Sequence, residues 1–154
     1  MKSYIGVKLI VAEPMTRGEY NEYRGWTIPA DENPADEGYL VKYPDGYVSW
    51  SPKAVFDGAY RVIEGQNNSI SPQDVEDFIV DVEAIQLGEK TTAVKATLAN
   101  GFILVESSSC VDAANFSMSI GREICMEKIR DKVWFLLGFL LQCAVAGLNK
   151  GKEE

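Results

Sequence analysis

The chain has 154 residues, enough for one domain or a main domain with a smaller appendage, and its 46% apolar share is that of a globular protein with a real core. With 23 acids against 15 bases the net charge is −8, so a long polyanion such as DNA or RNA is repelled except at a local basic patch, whereas a small nucleotide needs only a few arginines in a pocket. Histidine is absent, which removes the commonest general base near neutral pH, the usual metal ligand and any Ser-His or Cys-His nucleophile.

Tyr4 to Ala12 (YIGVKLIVA) is β-branched-rich and predicts a strand. Lys8 interrupts the apolar run that a signal peptide would need, so secretion is not expected. Thr16-Arg17-Gly18-Glu19 fits the capping-box pattern and predicts a short helix through Tyr23, ended by Arg24-Gly25-Trp26. Thr27 to Gly38 is rich in Pro, Asp, Glu and Asn and reads as an exposed loop. Tyr39–Tyr43 and Tyr47–Trp50 form a hairpin around Pro44-Asp45-Gly46. Ser51-Pro52 then supplies an N-cap and first helical residue for a helix over Lys53–Tyr60. All tyrosines and two of the three tryptophans fall in this stretch, as a base-stacking platform or, more simply, as the core of a module short of aliphatic residues.

Glu64 to Ser69 (EGQNNS) is polar and aperiodic and separates an aromatic-rich module at 1–64 from a second segment at 70–150. Ser71-Pro72-Gln73-Asp74 starts a helix whose stripe is Val75, Phe78, Ile79 and Val82, and which passes directly into a strand near Val80–Leu87. Two strand-like runs around Asn100-Gly101 predict a hairpin with a two-residue type I′ turn. Ser107-Ser108-Ser109, Cys110, Val111 and Asp112 then lead to Asn115-Phe116-Ser117 at the start of a long helix reaching about Leu148. This hydroxyl- and amide-rich corner can bind an anion through backbone N–H groups, or can be a well-capped helix start and nothing more.

In the early helix Met118, Cys125, Met126, Ile129 and Val133 share a face, with Ile120 and Ile124 roughly opposite. Val133 to Leu141 (VWFLLGFLL) is apolar on every side, yet the run is well short of the roughly 20 residues that cross a bilayer. One small sheet covers one side only, so a second copy is expected over the rest, each buried Leu or Phe contributing ~1.5–3 kcal/mol. The competing account is a helix buried within its own chain. Lys150–Glu154 is a charged tail. The fold class expected is α+β: a small antiparallel sheet with hairpins on a long C-terminal helix that oligomerises.

No phosphate loop, dinucleotide fingerprint, zinc pattern or nucleophile elbow is present, and the three cysteines (Cys110, Cys125, Cys143) have neither metal spacing nor an even-numbered disulfide framework. What remains is binding by arginine, aromatic and hydroxyl groups, which suit a purine face and a pyrophosphate. Arg122 and Arg130, roughly 12 Å apart along one helix and about 80° around it, can line one groove of a helix-paired dimer. As plain surface residues, Arg122 lies among the apolar residues of the broad face as a snorkelling side chain, and Arg130 pairs with Glu127 one turn back. Ser109 belongs to the hydroxyl corner. Arg61 after Tyr60 and Arg24 before Trp26 are the aromatic-adjacent arginines of the first module.

The run NGFILVESSSCVDAANFSMSIGREICMEKIRDKVWFLLGFLLQ resembles the compact segment of a small phage-encoded family with an Asn-Gly-Phe hairpin, a Ser-x-x-Cys-Val-Asp link, Asn-Phe, Ile-Gly and a Trp-x-x-x-Gly-x-x-Leu helix. The resemblance spans Ile70 to Gln142 and reaches the phage sponges called type-one Thoeris anti-defence proteins. It implies capture, without turnover, of cyclic ADP-ribose isomers made by bacterial TIR-domain enzymes, with cyclic di- or trinucleotides as further ligands. It also implies sites at subunit interfaces of a dimer or trimer of dimers, in the cytoplasm of the infected host, with no cofactor, no nucleic acid polymer and no membrane. Asn115 and Phe116 are the family-matching pair at the helix start. An adaptor that binds a host protein through its apolar helix, and a nucleotide hydrolase using Glu106 or Asp112, are the readings from other classes.

Overall fold

In the computed structural model the described residues are 1–64 and 68–149; the middle of the polar linker and the charged tail at 150–154 lie outside them. The class is α+β, with two three-stranded antiparallel sheets where one was expected. The chain divides into two compact units, Met1–Val62 together with the chain from Ala144 on, and Ile63–Cys143.

The first unit contains β1 (Val11–Pro14), α1 (Arg17–Arg24), β2 (Gly38–Lys42), β3 (Val48–Pro52) and α2 (Lys53–Ala59), with strand order β1-β2-β3. The capping box forms as the sequence predicts: Thr16 and Glu19 satisfy each other's backbone N–H groups, and Gly25 closes α1 at φ +70°. The adjacent Leu40 and Val41 point to opposite faces of β2 and are both buried. Gly38 is required because a Cβ there would fall on the Trp50 indole ring and the Ser51 carbonyl. Trp50 Nε1 donates to the Met15 carbonyl at 2.8 Å. Arg17 grips Glu32 with Nε at 3.0 Å and Nη2 at 2.6 Å, and the buried Asn21 amide adds a 3.1 Å bond, which anchors a loop that sequence alone leaves loose.

Two expectations for this unit are corrected. The strand over Tyr4–Ala12 is confined to Val11–Pro14, because Val11 already lies opposite Lys42, where β2 ends and turns, so nothing in the sheet is left to pair with residues 4–10. Ser51 is not a cap: it pairs with Tyr39 inside β3, and α2 starts behind Pro52 with no side-chain cap.

The second unit contains α3 (Pro72–Phe78), β4 (Ile79–Leu87), β5 (Thr91–Leu98), β6 (Ile103–Ser109) and α4 (Met118–Ala146), whose last turn belongs to the first unit. Ser71 and Asp74 form a second capping box, and α3 runs straight into β4. Val94, Ala96, Leu98 and Leu104 of the sheet bury against Cys125, Met126, Ile129, Val133 and Leu137 of α4, a ladder of i, i+4 positions on one face. Each of these larger side chains contributes ~1.5–3 kcal/mol, so this face holds the helix to the sheet. Ile120 and Ile124 are exposed, as their opposite placement requires, and so are Phe135 at 75% and Phe139 at 65%.

The turn at Asn100-Gly101 is a three-residue loop rather than a two-residue type I′ turn. Gly101 N donates to the Leu98 carbonyl at 2.8 Å, Leu98 N donates to the Phe102 carbonyl, and Asn100 Oδ1 accepts from Phe102 N. Gly101 takes φ +84°, closing an i to i+3 turn with a left-handed residue. The Tyr43–Tyr47 loop repeats this pattern bond for bond, with Asp45 and Gly46 (φ +87°) in the places of Asn100 and Gly101. A short polar side chain that caps the N–H two residues on is what both loops share.

A candidate cleft where the sheet meets the long helix

The register of β5 and β6 sets Thr91 opposite Ser109 and Thr92 opposite Ser108, so hydroxyls from two strands stand side by side. Thr91 Oγ1 and Ser109 Oγ are 2.7 Å apart. The ladder continues one bond further, from Cys110 N to the Lys90 carbonyl at 2.9 Å, and Lys90 Nζ donates to the Val111 carbonyl at 2.9 Å. Asp112 Oδ1 then accepts from Ala114 N, which nucleates a single 3-10 turn at Ala113–Asn115 and delivers Phe116 to the mouth of α4. Ser117 Oγ accepts from Ile120 N at 3.4 Å and lies 3.2 Å from Ser119 Oγ, so it caps the helix as a serine should.

Between these pieces lies a cleft of about 230 Å³, lined by Lys90, Thr92, Ser108, Ser109, Cys110, Asn115, Phe116, Ser117, Ile120, Gly121 and Ile124. Ser109, Asn115 and Phe116, three of the residues singled out from sequence, meet here. Lys90, Thr92, Ser108 and Ser117 join them; Ser108 and Ser117 belong to the hydroxyl-rich corner read from the sequence, whereas Lys90 and Thr92 enter only through the pairing of β5 with β6. The lining offers hydroxyls, one amide, one aromatic ring and one ammonium group, next to the positive end of the α4 dipole. It contains no carboxylate. Cys110 donates its thiol to the Asp112 carbonyl at 3.1 Å and has no base beside it in the lining.

Arg122 follows Gly121 directly. On the helical wheel it shares the arc of Cys125 and Ile129, but it is exposed rather than embedded among them, and it has no ion pair among the described residues. Arg130 is not in the cleft and does not pair with Glu127. Its Nε donates to Glu76 at 2.6 Å and its Nη1 to Glu123 at 3.1 Å, tying α3 to α4. Burial pulls the Arg130 guanidinium down, but these two carboxylates outweigh it and leave its pKa raised.

Arg24 and Arg61 belong to the first unit. Arg24 lies over the Trp26 ring, 4.7 Å from its centroid, and Arg61 is exposed beyond α2. Of the carboxylates considered for hydrolysis, Glu106 is ion-paired with Lys132 and Asp112 caps the 3-10 turn. Burial pushes the Cys125 thiol up, which keeps it protonated. Among the described residues no cluster of three or more His, Cys, Asp or Glu can hold a metal, and no helix is long and apolar enough to cross a membrane.

Residues 70–145, just under half of the chain, match the model of a phage protein family described as the N4 Gp49/phage Sf6 gene 66 family. The matched segment holds the whole cleft and nearly all of α4, and leaves the aromatic first unit outside. No curated protein and no solved structure matches the chain.

Proposed function

Starting from a second unit that matches a phage protein family, we propose that this protein sequesters a cyclic nucleotide signal of bacterial immunity without cleaving it. Cyclic ADP-ribose isomers are the first candidates and cyclic di- or trinucleotides the next, and the setting is the cytoplasm of an infected host with Thoeris-type immunity. The observation that carries this reading is the convergence of Ser109, Asn115 and Phe116 on one cleft at the start of α4. A ring stacks on Phe116, ribose hydroxyls meet the serines and Asn115, and phosphate oxygens are met by Lys90 and the helix N-terminus, while Arg122, outside the lining, is offered to the ligand of a second copy across a helix-paired groove. A lining without carboxylate or histidine favours holding over hydrolysis.

At about 230 Å³ the cleft is smaller than the ~300–1,000 Å³ typical of sites that enclose a whole small molecule. This favours completion by a second copy. The exposed ridge of α4 supplies a surface for it: Trp134, Phe135, Phe139 and Leu140 are all open, and a Cβ at Gly138 would meet nothing within 4 Å. A helix glycine in free space costs roughly 1 kcal/mol against alanine, a cost that close approach of another helix offsets. The same ridge favours the second reading, an adaptor that seats a host protein on α4. Equilibrium dialysis against the ligand panel tests the first reading: retention that falls in Phe116→Ala supports it, and no retention of any cyclic nucleotide leaves the adaptor.

A further inference from the structure

We propose that Asn100 is a latent self-modification site: the Gly101 nitrogen attacks the Asn100 side-chain carbonyl carbon and expels ammonia, but only when the hydrogen bond from Gly101 N to the Leu98 carbonyl opens. Asn100 is the one asparagine of the chain that is followed by glycine. Glycine matters because no Cβ stands beside its nitrogen, so ring closure there meets the least steric resistance. The turn is exposed from Ala99 to Phe102, and a Cβ built on Gly101 would meet nothing within 4 Å. Packing therefore does not protect the pair.

Hydrogen bonding does. Gly101 N donates to the Leu98 carbonyl at 2.8 Å, so the proton that must leave before the nitrogen attacks is engaged. Phe102 N donates to Asn100 Oδ1 at 3.1 Å, which holds the side chain in place as the cap of the turn. Both bonds must open before the five-membered succinimide closes. The bond formed joins Gly101 N to Asn100 Cγ, the bond broken is that from Cγ to Nδ2, and the amide proton departs with the ammonia. Water then opens the ring in one of two ways. Cleavage of the new bond leaves aspartate in an unchanged main chain, whereas cleavage at the main-chain carbonyl leaves isoaspartate, whose main chain runs through Cγ and is one atom longer. The first unit shows why these products have different fates. In its Tyr43–Tyr47 loop, Gly46 N donates to the Tyr43 carbonyl at 2.9 Å and Tyr47 N donates to Asp45 Oδ1 at 2.9 Å, the same bonds made with an aspartate. Aspartate at position 100 is accommodated in the same way; isoaspartate moves Gly101 N off the Leu98 carbonyl and the hairpin end opens.

Incubation of the full-length protein in mildly alkaline buffer, folded or unfolded in guanidinium, tests this, with position 100 followed by peptide mass spectrometry that separates aspartate from isoaspartate. Conversion should be roughly tenfold or more slower in the folded chain, since it proceeds only from the locally opened turn. One N–H serves both reactions, so conversion should be suppressed at least as strongly as hydrogen exchange of the Gly101 amide is protected. The Asp45→Asn variant, which puts a second such pair under the same bonds, should show the same contrast between folded and unfolded chain. Asn100→Asp should leave the unfolding midpoint unchanged. Equal rates in the two states, an unprotected Gly101 amide, or conversion at the unfolded rate in folded Asp45→Asn would overturn the proposal. None of these outcomes depends on ligand binding.

Discussion

Gly121 of α4 is pressed against Thr92 of β5: a Cβ on residue 121 would lie 2.7 Å from the threonine Cβ and closer still to its hydroxyl. This contact fixes how near the helix start comes to the sheet, and it forms the back of the cleft, since both residues line it. Gly121→Ala should therefore cost ~1–3 kcal/mol, the range for overpacking a tight contact. Gly58→Ala in α2, where nothing lies within 4 Å, should gain roughly 0.5–1 kcal/mol from helix propensity. Urea unfolding at constant slope would measure both, and a neutral Gly121→Ala would show that the helix start is free to shift.

The two arginines of α4 have opposite employment. Arg130, bonded to Glu76 and Glu123, should lose about 0.5–1 kcal/mol of stability on change to alanine, and Glu76→Ala in the same background should then cost almost nothing more. Arg122→Ala should leave the denaturation midpoint unchanged and weaken nucleotide retention. A double-mutant cycle over positions 76 and 130, with dialysis of the Arg122 variant, separates these roles.

Acid should loosen the first unit through Glu32. Hydrogen bonds from Arg17, then Asn21, hold its carboxyl below the ordinary value of 4.5. Between that value and the lower folded one the unfolded chain binds more protons, so the stabilisation is full above about pH 4.5 and is lost as pH falls through the folded value. A Glu32→Gln variant should be less stable at neutral pH and show a shallower drop in Tm from pH 7 to pH 3 than the parent. Parallel curves would mean that the Arg17–Glu32 contact does not form in solution.

The capping box at Thr16, the Ser-Pro helix start at Ser71 and the buried face of α4 were legible because they rest on contacts within a few residues or on one period, whereas the helix-to-strand passage expected near Val80 falls at Phe78–Ile79, so Ile79 and Val82 belong to β4 and not to a helical stripe. Arg130 was not: its acids lie seven and 54 positions away, and Glu76 reaches it only because α3 packs beside α4. Tyr4–Ile10 misled for the opposite reason, since propensity is local but a strand needs a partner, and β2 stops at Lys42. In the cleft, the aromatic and amide at the helix start could be read from their place before a long apolar run. Lys90 and Thr92 could not, because they enter only through the pairing of Thr91 with Ser109 across a hairpin.

The measurement that bears most directly on sequestration is calorimetry of the purified full chain with cyclic ADP-ribose isomers and a panel of cyclic di- and trinucleotides, followed by heat release and chromatography of the ligand. The account predicts saturable binding of at least one of them, recovery of that ligand unaltered, and loss of the heat in Phe116→Ala with no change in unfolding midpoint. Absence of heat across the panel, or recovery of a linear or cleaved product, would contradict it.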